Sequence, residues 1–235
     1  MAAGSFCEKI LTRKVDCMIH TTTNKGLHEF VATRILSRYA RAGLYAADLG
    51  SGPGAMTARL LDLGCQVVAV DRDAEGYSAA AQHVALDFNQ PDFASAIGAS
   101  SFGLVTAIEV IEHVESPIGF LRNVGHLLAP GGVAVLTTPN VDSLPARLKF
   151  LLRGKIRMMD EHSEPTHISP IFSDLFRRQF LARATLRLRE HSFFPPDGYQ
   201  LTRQPAASIL RFASLFFPGD ALLGDNHVLV LESAS

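Results

Sequence analysis

Glu109, Glu112, His113 and His167 are four side chains that can share a cation, and they lie in two short stretches. These are Ala107-Ile108-Glu109-Val110-Ile111-Glu112-His113-Val114 and Glu164-Pro165-Thr166-His167-Ile168-Ser169-Pro170. If the chain turns helical at Glu109, the i, i+3, i+4 spacing puts Glu109, Glu112 and His113 on one face, where two carboxylates and an imidazole can meet one ion. His167 is the candidate fourth ligand. Oxygen and nitrogen donors suit magnesium, manganese, iron or zinc better than a thiolate-preferring ion. Without a metal, His113 is a candidate general base, because an imidazole titrates near neutrality.

A second constellation suits a larger ligand. Ala46-Ala47-Asp48-Leu49-Gly50-Ser51-Gly52-Pro53-Gly54 joins an apolar strand to a glycine-rich turn and then a helix. Glycines at 50, 52 and 54 let the backbone turn sharply and approach a ligand. Gly50, Gly52 and Ala55 also satisfy the dinucleotide fingerprint G-x-G-x-x-G/A, so the glycines alone leave two cofactor classes open. Asp48 favours a cationic ligand over a pyrophosphate, and S-adenosylmethionine carries an ammonium and a sulfonium. A second apolar run ends in Asp71, about 20 residues past the first glycine, from where a carboxylate can accept both hydroxyls of a ribose. A third short run ends in Asp87 and Phe88, an acid and an aromatic suited to an adenine amino group and an adenine face.

These residues need a scaffold that gathers strand ends. Apolar runs near 45–49, 66–71, 83–87, 103–108 and 132–138 alternate with helical patterns near 55–64, 74–82 and 118–128, the rhythm of a doubly wound α/β sheet. Ligands of such sheets bind at the carboxyl ends of the strands, where the named acids fall. Upstream, Asn24 is a candidate cap for a helix carrying Leu27, Phe30, Val31, Ile35, Leu36 and Tyr39 and ending at Gly43. Downstream, a helix near 171–182 and strands near 184–191 and 227–232 would close the sheet.

Residues 45 to 140 resemble the class I S-adenosylmethionine-dependent methyltransferases. The D-x-G-x-G-x-G turn at Asp48, the acids Asp71 and Asp87, and Leu128-Ala129-Pro130-Gly131-Gly132 ahead of a fifth strand match that family in order. The resemblance implies a Rossmann-like sheet of seven strands with the last antiparallel. It places Asp48, Gly50, Gly52 and Gly54 around the methionine part, Asp71 at the ribose, and Asp87 with Phe88 at the adenine. The E-x-x-E-H segment, the T-x-N after the fifth strand and the later histidine resemble two branches. One is the polyprenyl-hydroxyphenol O-methyltransferases of ubiquinone biosynthesis. The other is the small-RNA 2′-O-methyltransferases, from which a metal site at Glu109, Glu112, His113 and His167 carries over. Other small-molecule members use the segment without metal; there Glu109 helps hold the cofactor and His113 can act as base.

Composition sets outer bounds. With 235 residues, 47% hydrophobic and 19% charged, one globular domain is expected. Within it, 1–44 reads as an N-terminal cover, 45–143 as the cofactor-binding core, 144–170 as an insertion or lid, and 171–235 as completion of the sheet. Cys7, Cys17 and Cys65 lack C-x-x-C spacing, which together with the want of a secretory signal or a membrane-length apolar run predicts a cytoplasmic protein. Residues 45–143 carry net charge −8 and residues 144–203 net +5. An acidic cofactor half suits a cationic cofactor. The stretch from Leu144 to Met159 interleaves apolar residues with Arg147, Lys149, Arg153, Lys155 and Arg157, a pattern fitting packed insertion, lid or anionic membrane contact.

The expected activity is methylation, on oxygen, of a small hydroxylated acceptor such as a phenol, a sugar or a lipid-like molecule. RNA ranks lower because the chain shows no evident RNA-binding domain. An NAD-dependent oxidoreductase is the rival enzyme, but the tyrosines at 39, 45, 77 and 199 lack a lysine four residues later. A non-catalytic cofactor-binding regulator is the remaining alternative.

Overall fold

A computed structural model describes residues 23–99, 101–160, 165–217 and 222–234. Cys7, Cys17 and the first half of the proposed N-terminal cover lie outside these. Seven strands form one sheet in the order β3-β2-β1-β4-β5-β7-β6: β1 (Tyr45–Leu49), β2 (Gln66–Asp71), β3 (Gln82–Ala85), β4 (Phe102–Ile108), β5 (Leu128–Pro139), β6 (Leu186–Phe194) and β7 (Asn226–Ser233). The first five strands are parallel, whereas β7 runs antiparallel to both β5 and β6. The expected seven-stranded doubly wound sheet with its antiparallel last strand is therefore what forms.

The central strands are almost continuously apolar and buried, as strands covered on both faces must be. On one face Phe93, Phe120, Leu121, Val124 and Leu127 from α3 (Phe93–Ile97) and α4 (Pro117–Leu127) join Val105 and Ala107. On the other, Leu27, Val31 and Leu36 pack with Met56 and Leu60 of α2 (Ala55–Asp62) against Leu104 and Val135. The strand order reverses between β1 and β4, so their carboxyl ends open a crevice.

Three local expectations are corrected. The N-terminal helix α1 starts at Leu27 behind Gly26, which takes the left-handed φ of 85°, and runs through Val31–Ile35 to Arg38 rather than to Gly43. Asn24 does not cap it with its side chain; that amide donates to Asn226 Oδ1 instead. The segment near 74–82 is a series of turns, because Asp71 and Asp73 carboxylates capture the backbone N–H groups of Asp73 and Glu75 and Gly76 bends the chain at φ 74°.

The stretch read as an insertion or lid contains α5 (Leu144–Arg153), ending at Gly154. A helical stretch follows over Ser173–Ala184, called α6, and α7 spans Ala206–Ser214. Cys65 is buried and free. Among the described residues no helix is long and apolar enough to cross a membrane.

Candidate active site

A cavity of about 810 Å³ opens at the carboxyl ends of β1, β2, β4 and β3, lined by Gly50, Gly52, Asp71, Asp87, Phe88, Glu109, His113 and His167 among others. That volume lies within the range of small-molecule and cofactor sites.

The glycine turn is shaped by contact. A Cβ on Gly50 would come 2.3 Å from Val110 Cγ2, so the turn can be this tight only without a side chain. Gly52 instead faces open space, with φ 47° and no atom within 4 Å of an added Cβ. Its N–H donates to Asp71 Oδ2 at 2.8 Å, which joins the turn to the end of β2 at the cavity wall. Gly54 ends the turn beneath Ala79 and does not line the cavity.

Asp48 lies below the cavity floor. It is 1% exposed and accepts hydrogen bonds from Thr57 at 2.6 Å and Thr106 at 2.8 Å, which tie β1 to α2 and to β4. Burial lifts its carboxyl to about 6, and the two hydroxyls offset part of that rise. Asp87 and Phe88 line the cavity at the end of β3, with the Phe88 ring edge-on to Phe93 and Phe120.

The chain does not turn helical at Glu109. That residue leaves β4 with φ 57°, and the helical turn covers only Ile111–His113. The left-handed step takes Glu109 out of the helical turn that holds Glu112 and His113 and into its own network. Glu109 Oε1 accepts from Thr137 at 2.8 Å and Oε2 from Asn226 at 2.7 Å, which binds the ends of β4, β5 and β7 together.

Glu112, His113 and His167 do come together, each contributing a ligand atom within 4.8 Å of the others. Glu109 stands outside this trio. Glu112 is 0% exposed and neither carboxylate oxygen has a hydrogen-bond partner. Burial pushes its carboxyl well up, and the nearby Glu109 charge pushes it further. A buried carboxylate in this condition lacks a positive partner.

The two imidazoles meet edge to face at a ring separation of 4.6 Å. His167 Nε2 lies 4.0 Å from Glu112 Oε1, while its Nδ1 lies 2.7 Å from the Met158 carbonyl. His113 Nδ1 is 3.2 Å from the Thr166 carbonyl and 2.9 Å from the Thr166 hydroxyl. A histidine held through one nitrogen by a carbonyl presents the other as a ligand or a base, the usual arrangement around a protein-bound metal.

The chain belongs to the methyltransferase-domain family. That family matches residues 27–196, a span holding the glycine turn, the acids and the trio. Ubiquinone biosynthesis O-methyltransferase from Caulobacter sp. (strain K31) is 35% identical over 142 residues, which are 54% of this chain and 54% of that protein. The enzyme of the same name from Xanthomonas campestris pv. campestris (strain B100) is 32% identical over 126 residues, 49% of this chain and 53% of that one. The aligned segment thus spans about half the length of these curated relatives.

Among solved structures, a SAM-dependent methyltransferase from Archaeoglobus fulgidus superposes with a TM-score of 0.63 at 15% identity, covering 88% of this chain and 94% of that one. The Burkholderia thailandensis 1,6-didemethyltoxoflavin-N1-methyltransferase, solved with 1,6-didemethyltoxoflavin and S-adenosylhomocysteine, gives a TM-score of 0.55 at 16% identity, over 90% and 80% of the two chains. At such identities the agreement is one of fold, the fold of SAM-dependent methyltransferases.

Sequence reasoning missed several residues of this site. His28 lines the cavity from α1; burial pushes its imidazole down to about 4, aided by the Arg59 charge, so it is neutral at physiological pH. Leu201 also lines the cavity, as does Met158 from the stretch read above as a possible lid, and Asn226 secures Glu109 from the far end of the chain. A lone histidine in an apolar stripe and an asparagine before a strand give no local signal. Their placement depends on tertiary contacts alone.

Proposed function

We propose that this chain transfers the methyl group of S-adenosylmethionine to an oxygen of a small hydroxylated acceptor, with a divalent cation held by Glu112, His113 and His167. The observation carrying the reading is the orphaned, fully buried Glu112 carboxylate behind two imidazoles that line the cavity. Its donor set, one carboxylate and two ring nitrogens, fits magnesium, manganese or zinc. Asp71, Gly50 and Gly52 would hold the ribose and methionine parts, Asp87 and Phe88 the adenine, and Glu109 the methionine side. Asp48 and Gly54 support that site from outside the cavity, Asp48 by pinning β1 through its two threonines.

In the reaction the acceptor oxygen gives up its proton and attacks the methyl carbon in line with the sulfur. The new C–O bond forms as the C–S bond breaks. Its electron pair returns to sulfur, converting the sulfonium to the neutral thioether of S-adenosylhomocysteine. A bound cation would lower the hydroxyl's pKa. His113 lines the cavity and is the residue to take the proton where no cation is bound; with a cation on His113 the acidified hydroxyl would release its proton to solvent. The walls around Met158, Leu201 and His28 would confine the acceptor and exclude water, so orientation supplies much of the rate.

The experiment is a methyl-transfer screen with labelled cofactor against phenols, sugars, lipids and small RNAs, with and without chelator. Transfer to a phenol, sugar or lipid hydroxyl supports the assignment, and transfer confined to RNA or to nitrogen overturns the acceptor class.

The acceptor side also carries the features of a peripheral membrane contact through 144–159. Leu151 and Leu152 on α5 are each 78% exposed, and Phe212 and Phe216 on and beside α7, which packs against α5, are 64% and 72% exposed. Between 143 and 159, and again between 198 and 217, the charged residues are all Lys or Arg. Apolar side chains at such exposure within a cationic setting match an anionic lipid surface.

A further inference from the structure

A line of contacts leads from His167 back into the protein and has no part in the chemistry just described. The Met158 carbonyl can only accept, so His167 Nδ1 carries the proton and Nε2 is the nitrogen that faces Glu112. The direction of that carbonyl is itself imposed. Met158 holds φ 66°, a left-handed conformation that a side chain with a Cβ disfavours without tertiary support.

The support comes from the residue before it. Arg157 is nine-tenths buried, and its Nη2 lies 2.8 Å from Oδ1 of the fully buried Asp225. The second oxygen of Asp225 accepts the backbone N–H groups of Gln200 and Leu201 at 2.5 and 3.1 Å. One carboxylate therefore fixes both Met158 and Leu201, which both line the cavity. It also directly precedes Asn226, the residue that secures Glu109.

We propose that Arg157 and Asp225 are positioning residues that select the Nδ1–H tautomer of His167 and aim its Nε2 at Glu112. The purpose of this aim rests on the cation site proposed above, but the tautomer does not. An imidazole free in water prefers its proton on Nε2, so an Nδ1–H histidine reports that the Met158 carbonyl is in place. A salt bridge that only fastened the loop would leave the tautomer unchanged whenever the protein still folds.

The test uses the full chain labelled with ¹⁵N-histidine and read by NMR at a pH where His167 is neutral. Wild type should show His167 protonated on Nδ1. Arg157→Gln should shift it toward the Nε2–H form, and Arg157→Lys should restore part of the Nδ1–H population. Because breaking a buried pair destabilises strongly, the double variant Arg157→Met/Asp225→Asn, which removes both charges and keeps an acceptor for Gln200 and Leu201, is made alongside.

Manganese titration of the same proteins supplies the second readout, with affinity falling about 10- to 100-fold in the variants. An unchanged Nδ1–H signal in folded variants overturns the proposal. A lost Nδ1–H signal in variants of a protein that binds no manganese even as wild type upholds the positioning role and overturns the cation site.

Discussion

The Asn226 side-chain amide donates a 2.7 Å hydrogen bond to Glu109 Oε2, joining residues 117 positions apart in sequence. With the Thr137 bond to Oε1, both oxygens of this half-buried carboxylate are satisfied, and Asn226 in turn accepts from Asn24. Asn226→Ala removes one donor from a Glu109 carboxylate that faces the cavity, so it should cost about 1 kcal/mol in urea unfolding. It should also weaken S-adenosylhomocysteine binding by releasing Glu109. Calorimetry on the variant checks the second effect, and unchanged affinity would remove Glu109 from the cofactor site.

Asp71 accepts from Gly52 N–H at the cavity wall, so its carboxylate is already aimed by the glycine turn. Asp71→Ala should lower S-adenosylhomocysteine affinity about 10- to 100-fold, corresponding to roughly 1–3 kcal/mol of lost hydrogen bonding to the ribose. NAD should bind neither protein. Tight NAD binding with no response to S-adenosylhomocysteine would sink the cofactor assignment.

The sheet was legible because strand ends carry their own signals: apolar runs stop at Asp48, Asp71 and Asp87, and β1 and β2 fall where those runs lie. The trio was legible only in part. The E-x-x-E-H spacing brought Glu112 and His113 into view, but the positive φ at Glu109 follows from bonds to Thr137 and Asn226 that no helical periodicity encodes. Asp48 misled in a related way. A carboxylate before a glycine turn reads as a ligand contact, yet Thr57 and Thr106 draw it beneath the floor. The turns before β3 were hidden because the alanines at 74 and 79–81 read as helical, whereas the Asp73 carboxylate and Gly76 break the chain into turns.

Stability should carry the mark of His227. Burial on β7 pushes its imidazole down to about 3, with the neighbouring His191 and Arg177 adding to the effect. Its folded pKa is thus below the unfolded value near 6.5, and between these limits the unfolded chain takes up a proton that the native one refuses. Wild type loses this contribution as pH falls below about 6.5. The stability gap between wild type and His227→Gln should therefore shrink by about 1 kcal/mol from pH 7.5 to 5.5. Urea unfolding at the two pH values measures it, and a gap independent of pH would contradict the buried neutral imidazole.

Membrane contact makes a separable prediction. The chain should sediment with vesicles rich in phosphatidylglycerol, fail to do so with neutral phosphatidylcholine, and release as salt rises toward 0.5 M, where the Debye length falls to about 4 Å. Leu151→Ser with Phe216→Ser should reduce the bound fraction several-fold, since both side chains are exposed and leave no cavity behind. Cofactor affinity should be untouched. Pelleting that survives these substitutions would move the contact elsewhere.

The cation assignment predicts a pattern across four measurements. Chelation should abolish turnover while leaving S-adenosylhomocysteine binding intact, and magnesium, manganese or zinc should restore it. His113→Ala and His167→Ala should lose activity to similar degrees, because each removes one ligand of the same site. Glu112→Gln should abolish cation binding yet leave the chelated protein at least as stable as wild type, since a neutral amide replaces a buried carboxylate that has no hydrogen-bond partner. A purely structural Glu112 would show the reverse, with lost stability and retained activity. If His113 is instead a lone base, chelator has no effect, His167→Ala is mild, and activity rises with pH as the imidazole loses its proton. Full activity in metal-free buffer together with an active His113→Ala protein would dismiss both assignments and leave orientation of the acceptor as the source of rate.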